Sequence, residues 1–451
     1  MRYLSILFLS LGLLSAASSL AQKRCSLQEC LDMAVANNRS LANSRTDVAM
    51  ANEDAAVAFT KYFPSVSAGA TGFIAAKDLV RSEMDLTDVA AAYGPALGQM
   101  GIAIPESYSI SMMKKGAVVD VMATQPLYAG GQIRTGQRLA ALQKEVRRLQ
   151  VDMAERDLRQ NVTDYYWQIC ALRANAATVD TVLAQLKGVH RYTSDYVNAG
   201  IAHRNDLLKI ELKQQEMESD RLKIANADAL LRMVLAQLCG AKPEDFDIST
   251  EDVHPESCPK PQSLFISPAE AVENRVEMAL AEQNVRAEKL QERMERGKLL
   301  PTLAIGTAGM YQQMDMGDGM EDMKNGNLIG FATLSIPITD WWGGKHSLRK
   351  ARLQREKAEN SRDDAREQLE IDILSAWNNL TEGYAQIEVA QRSITSADEN
   401  LRLTTDEYRA GTIGITDMLD AITLFTQAHN RMVEAVANYQ TRMSDYLKKT
   451  R

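Results

Sequence analysis

Residues 158–186 read LRQNVTDYYWQICALRANAATVDTVLAQL, and residues 369–401 read LEIDILSAWNNLTEGYAQIEVAQRSITSADENL. In the first stretch Leu158, Val162, Tyr165, Ile169, Leu172, Ala176, Val179, Leu183 and Leu186 recur in alternating steps of four and three. In the second, Leu369, Ile373, Ala376, Leu380, Gly383, Ile387, Ala390, Ile394, Ala397 and Leu401 do the same, shared members lying 211 residues after their counterparts. Such alternation is a coiled-coil seam, because it keeps one apolar stripe facing a partner helix. No proline falls between Pro126 and Pro243, or after Pro337, so nothing interrupts helical hydrogen bonding there. The spacing predicts two copies of a very long helical hairpin.

The copies agree beyond the seam, as in an internal duplication. Tyr62-Phe63-Pro64-Ser65 recurs as Leu299-Leu300-Pro301-Thr302, and Gln125-Pro126-Leu127 as Ser335-Ile336-Pro337-Ile338. Gly130-Gly131 returns as Gly343-Gly344, and Val197 to Ile201 as Tyr408 to Thr412. Asp206-Leu207-Leu208 is matched by Asp417-Met418-Leu419, all in the same order. The reading is a first repeat over 22–242, a linker over 243–267 carrying Pro255, Pro259 and Pro261, and a second repeat over 268–451.

Arg2, the apolar run Tyr3 to Leu14 and the ending Ser19-Leu20-Ala21 predict a signal peptide over 1–21 and hence export. Cys25 follows Lys23-Arg24 and lacks the small apolar residues of a lipidation site. No later segment offers about 20 consecutive apolar residues, so a membrane crossing would have to use strands. A net charge of −8 disfavours nucleic acid, whose binding rests on neutralising phosphates. Cys25 with Cys30, and Cys239 with Cys258, are the pairs that export leaves open as disulfides, with buried thiols as the alternative.

Four segments beside the matched prolines read as strands: Ser65–Ala75, Ala117–Tyr128, Thr302–Gln312 and Leu328–Ile338. Their lengths suit a tilted strand crossing a bilayer. Val119, Val121 and Ala123, with Gly330, Ala332, Leu334 and Ile336, supply an apolar face. Asp120, Met122 and Thr124, with Thr333 and Ser335, supply a more polar one. Four strands do not close a barrel, and an open edge is not tolerated in lipid, so several chains must share one. Three copies give twelve strands. A helix from Gly131 to Gly200 would run roughly 100 Å.

The ordered duplicate set of proline, apolar residue and Gly-Gly, each opening a long helix, resembles the TolC family of outer-membrane efflux proteins. So do the opening helix from Leu27 to Asn38 and the paired tips Gly200 with Asp206 and Gly411 with Asp417. The resemblance implies a mainly α chain with a membrane β-barrel: a homotrimer whose twelve-stranded barrel continues into an α-helical coiled-coil barrel closing in the periplasm. It also implies outer-membrane lipid around the barrel, a periplasmic adaptor protein, and an inner-membrane pump of RND or ABC type. No catalytic residue, cofactor or metal is implied.

By the same resemblance Asp417 and Asp420 fall on a carboxylate pair at the periplasmic constriction, and rings of such residues attract cations. Tyr408 and Asp206 fall on a hydrogen-bonded lock whose arginine position is Ile413 here. Helix capping is the alternative for these aspartates. Ala199, Gly200, Ile201, Ala410, Gly411 and Thr412 are the expected adaptor-docking tips. Pro126, Gly130, Gly131, Pro337, Gly343 and Gly344 are the expected strand-to-helix corners.

No phosphate-cradling loop, HExxH or GxSxG is present, which leaves catalysis without a motif. Met310, Met314, Met316, Met320 and Met323, with Asp315, Asp318, Glu321 and Asp322, read as one surface loop over 310–323 that soft thioethers could turn toward Cu(I). The segment Lys77–Gly116 is the longer counterpart of that loop, since Pro64 to Pro126 spans 62 residues and Pro301 to Pro337 only 36. It is expected outside the cell. Efflux of small toxic compounds, secretion of a polypeptide through the same fold, and a pore-free periplasmic coiled-coil scaffold remain as functions.

Overall fold

The computed structural model describes residues 23–77, 79–98, 100–250, 255–315, 321–338 and 340–451. The expected signal peptide lies outside the described residues, as do Met316, Asp318 and Met320 of the methionine-rich loop. The chain forms two compact units. One comprises the described residues up to Ala51 with Lys144–Val285 and Ala358–Arg451; the other comprises Asn52–Gln143 and Arg286–Lys357. Each therefore draws on both repeats.

In the helical unit, strand β1 (Lys23–Cys25) precedes α1 (Leu27–Asn37). Ser26 starts α1 with a capping box: its Oγ accepts from Glu29 N at 3.3 Å while Glu29 Oε2 accepts from Ser26 N at 2.9 Å. Asn38 Oδ1 then accepts from the N–H groups of Ser40 and Leu41, opening α2 (Arg39–Thr60).

The sheet unit holds β2 (Ser65–Ile74), β3 (Val80–Asp85), α3 (Thr87–Gly98), β4 (Ser107–Met112) and β5 (Lys115–Ala129). The segment read as one long loop is thus an antiparallel β3–β4 ribbon carrying a helix. Helix α4 (Gln132–Asn198) and α5 (Arg204–Leu238) make the first hairpin. Strand β6 (Phe246–Ile248) pairs in parallel with β1. Then come α6 (Pro268–Glu273), α7 (Val276–Lys298), β7 (Thr302–Met314), β8 (Met323–Ser335), α8 (Asp340–Arg409) and α9 (Ile415–Thr450). The second hairpin is α8 with α9. No helix among the described residues is long and apolar enough to cross a membrane.

Most seam positions are buried, while Tyr165, Leu172, Ala176, Leu369 and Ile394 are half-buried and Tyr166, beside the predicted Tyr165, is the buried tyrosine of the first seam. Val162, Ile169, Leu186, Ile373 and Leu380 have no exposed surface, and Gly383 lies in the same buried row. The seam of α8 runs one heptad further than the sequence pattern showed, through Thr404 and Tyr408. Three cores result. Leu158, Val162, Ile169 and Cys170 pack with Leu235, Phe246 and Ile248. Ile373, Ala376, Leu380 and Ile387 pack with Val436, Tyr439 and Tyr446. Val179, Leu183 and Leu186 pack with Leu401, Tyr408, Ile415 and Met418, so near their tips the two hairpins share one interior.

Arg173 ties the first core together. Its guanidinium donates to Asp228 Oδ1 at 2.9 Å, to the Ile248 carbonyl at 2.9 Å, and to Asp247. Burial pushes the Asp247 carboxyl up, but the bonds from Arg173 and the Ile248 N–H outweigh it and hold the group below the usual carboxylate range. All five cysteines are buried thiols. Cys239 lies against Cys30 rather than Cys258, which sits in a different core, so the expected neighbours Cys239 and Cys258 do not meet.

Candidate functional site

The four-stranded sheet has the order β2-β5-β7-β8, antiparallel throughout. Strand β8 begins at Met323, five residues before the expected start, and ends at Ser335, short of Ile336 and Pro337. Lys324, Asn325 and Asn327 join the ladder opposite Gln313, Gln312 and Met310, polar residues that carry no strand signal alone. Met310, Met314 and Met323 accordingly sit in strands, not in the loop that the sequence suggested.

Directly paired residues share a face of a sheet. One face carries the rows Ala68, Val121, Gly309, Leu328 and Val66, Ala123, Thr307, Gly330. Its large side chains stand in the open: Ile74 is 88%, Leu328 78% and Val66 69% exposed. The other face carries Thr71, Val118, Gln312, Asn325 and Gly69, Asp120, Met310, Asn327. Here glycines sit under large neighbours: a Cβ on Gly306 would meet the Phe331 ring at 2.5 Å, and one on Gly116 the Phe73 ring at 2.7 Å. The first face is mainly aliphatic, with Gln313 and Lys324 at one end, whereas the second sets Asp120, Gln312, Asn325 and Asn327 among Phe73, Met122, Ile329 and Phe331. The carboxylate and amides of the second row set fall on one side only, as in a strand with lipid on one side and water on the other. Both β2 and β8 are edges within the chain.

The two proline-to-glycine corners differ. Pro126 lies two residues past the last β2 pairing and beside a register shift at Leu127, the settings where a strand tolerates proline. Gly130 and Gly131 then turn with φ +60° and +77°, and a Cβ on Gly130 would stand 2.1 Å from the Gly297 carbonyl oxygen. In the second copy Pro337 follows the end of β8, and Gly343-Gly344 lie inside α8 rather than in a corner. The cause is spacing: Pro337 precedes its Gly-Gly by six residues and Pro126 by four, so the helix has already started. Gly344 still serves close packing, since a Cβ there would meet Leu299 Cδ2 at 2.1 Å.

The paired tips are built alike. Helix α4 ends with Gly200 at φ +75°, Gly200 N donating to Val197 O at 3.0 Å and Ile201 N to Tyr196 O at 2.8 Å. Helix α8 ends with Gly411 at φ +72°, Gly411 N donating to Tyr408 O at 3.0 Å and Thr412 N to Glu407 O at 3.1 Å. This is the Schellman closure, which needs a residue free to enter the left-handed region. Ala199, Gly200, Ile201, Ala410, Gly411 and Thr412 are all exposed, Ile201 by 73%.

Each following helix opens on an acid three residues in. Asp206 Oδ2 accepts from His203 N and Asp417 Oδ2 from Gly414 N, both at 3.3 Å. Such carboxylates also suit the positive end of the helix dipole. Asp420 lies one turn past Asp417, and both are exposed.

Tyr408 is buried, its hydroxyl bonded to Thr193 Oγ1 at 2.5 Å. Burial raises its pKa, and the nearby Asp206 charge adds to the rise against the Thr193 bond. Further ties join the two hairpins: Tyr196 Oη donates to the Arg409 carbonyl at 2.9 Å and Lys209 Nζ to Thr416 Oγ1 at 3.1 Å. The Arg409 guanidinium lies 5.2 Å from the Tyr192 ring centroid. Ile413 packs against the shared interior. Thr193, Tyr196, Lys209 and Thr416 escape a sequence reading because their partners lie more than 200 positions away.

A chain with a four-stranded sheet exposing aliphatic side chains and two long helical hairpins has the parts of an outer-membrane channel protein. The model of the outer membrane efflux protein family matches residues 30–241 and 267–444, and the chain belongs to that family. It is an outer-membrane protein of a diderm bacterium that extends into the periplasm, in a family of channels rather than enzymes. It is 23% identical over 402 residues to the outer membrane efflux protein BepC of Brucella suis, covering 88% of this chain and 78% of that protein. It is 24% identical over 412 residues to the outer membrane protein OprJ of Pseudomonas aeruginosa, covering 88% and 77%. The fold is similar to that of the outer membrane protein VceC of Vibrio cholerae, with TM-score 0.70, 14% identity, and coverage of 94% and 95%.

Proposed function

We propose that three copies of this chain close one twelve-stranded barrel and act as the passive exit duct of a tripartite efflux system for small toxic compounds. An inner-membrane pump of the RND or ABC type supplies the energy through a periplasmic adaptor. The observation that carries the reading is the sheet: a mainly aliphatic exposed face, an opposite face that carries Asp120, Gln312, Asn325 and Asn327, and two open edges. Edges in lipid leave backbone groups unpaired, and closure with neighbouring copies removes them.

In the trimer Asp417 and Asp420 form two stacked rings of carboxylates at the periplasmic gate, while Tyr408 and Asp206 hold the tips of the two hairpins. The exposed turns Ala199 to Ile201 and Ala410 to Thr412 receive the adaptor. Their matching geometry supports repeated docking by one partner element.

Light scattering of the detergent-purified protein tests the assembly, with a trimer expected; a conducting monomer or dimer overturns it. In planar bilayers, Asp417→Asn with Asp420→Asn should lower cation preference and weaken block by multivalent cations applied from the periplasmic side. Unchanged selectivity and block would leave these aspartates as helix caps only.

A further inference from the structure

Four of the five cysteines, Cys25, Cys30, Cys170 and Cys239, share one hydrophobic core. Two of them are in contact. Cys239 Sγ reaches the Cys30 carbonyl oxygen at 3.5 Å, and neither residue has exposed surface. The surroundings hold this approach from both sides. Asn38 Nδ2 donates to the Leu238 carbonyl at 3.0 Å. A Cβ on Gly240 would stand 2.6 Å from Asn37 Cβ, so Gly240, at φ +67°, lets the end of α5 close onto α1. The backbone is fixed within one residue of Cys239 on each side.

We propose that Cys30 and Cys239 are joined by a disulfide in the exported protein, clasping the first helix to the end of the first hairpin across 209 positions. An outer-membrane protein completes its folding in an oxidising compartment, where such bonds persist. The chemistry is thiol–disulfide exchange with a protein disulfide donor. One cysteine thiolate attacks the donor disulfide to give a mixed disulfide; the second thiolate displaces the donor thiol. The Cys30–Cys239 bond forms, the donor disulfide is reduced to a dithiol, and the two protons given up by the cysteine thiols are taken up by the donor's two sulfurs. Contact with Cys239, and then burial, push the Cys30 thiol far up, so the folded core offers almost no thiolate. The exchange therefore belongs to the folding chain, before α1 docks.

Thiol counting on the outer-membrane-extracted chain tests this. The protein is denatured without reductant, labelled with a maleimide-polyethylene glycol reagent, and compared with a reduced sample that exposes all five thiols. The unreduced chain should carry at least two labels fewer. Cys30→Ser and Cys239→Ser should each gain one label, because each frees the partner, whereas Cys258→Ser should lose one. Five labels on the unreduced wild-type chain, or one label lost in both Cys30→Ser and Cys239→Ser, overturn the bond. Because labelling follows denaturation, the count is readable even for variants that assemble poorly.

Discussion

Isoleucine and leucine occupy opposite environments in the two units. Ile373 and Leu380 of α8 are sealed in the helical core, while Ile74 and Leu328 of the sheet are 88% and 78% exposed. In water the second arrangement would be a large apolar patch of the kind that drives association. In a bilayer it is the required surface. One chain thus carries the same side chains for two solvents, and each unit's pattern is tuned to its own: period 3.5 where partner helices cover a stripe, period 2 where lipid covers a face.

The comparison breaks most directly at the helical seam. Leu380→Asp places an unpaired charge in a dry core and should cost roughly 4 kcal/mol or more, enough to abolish the assembled protein in outer-membrane fractions. Leu380→Ala should cost about 2–5 kcal/mol through its cavity. If Leu380→Asp accumulated normally, the seam would not be a dry core.

The sheet sharpens the contrast by side. Leu328→Arg on the apolar face should destabilise insertion by about 2–4 kcal/mol. Asn327→Arg, one residue away on the face that carries Asp120, should change folding by no more than about 0.5 kcal/mol and alter conductance instead. Equal insertion by both variants would erase the distinction between faces.

A smaller effect concerns acid. Because Asp247 holds its carboxyl below the usual range, its pairing with Arg173 contributes stability above the unfolded value of about 4, lost as pH falls through the lower folded value. Asp247→Asn should flatten urea stability in that acidic window and cost about 1.5–3 kcal/mol at neutral pH. An unchanged acid profile would show that the Arg173–Asp247 pair does not stabilise the fold.

The smallest change lies at the tip. Tyr408→Phe deletes the hydroxyl bonded to Thr193, but Thr193 Oγ1 still donates to the Val189 carbonyl at 2.9 Å, so no buried donor is stranded. The cost should be about 1 kcal/mol or less, and a double-mutant cycle with Thr193→Val should show that the pair is coupled.

The helices, their seams and both glycine turns were legible because each is encoded by local period or by a residue that alone tolerates its φ. The four sheet strands were legible in place but not in extent: β8 reaches into Lys324 and Asn325 because β7 offers partners there. The β3–β4 ribbon was missed, and α3 contains Pro95, which reads as a breaker. The three-residue pairing of β1 with β6 and the meeting of Cys30 with Cys239 join positions more than 200 apart, which no local pattern marks. At the tips the aspartates were legible as acids at matched positions, whereas the partner of Tyr408 depended on how two hairpins meet.

The open edges of β2 and β8 bear on how the proposed trimer is made. A lone subunit entering lipid would strand a row of peptide groups at each edge, so insertion and association become a single event. Its rate should then climb steeply with subunit concentration, in the manner of a reaction of order above one. Dilution would slow membrane entry itself, and monomers that wait too long in the periplasm become substrates for proteases rather than late arrivals in the membrane.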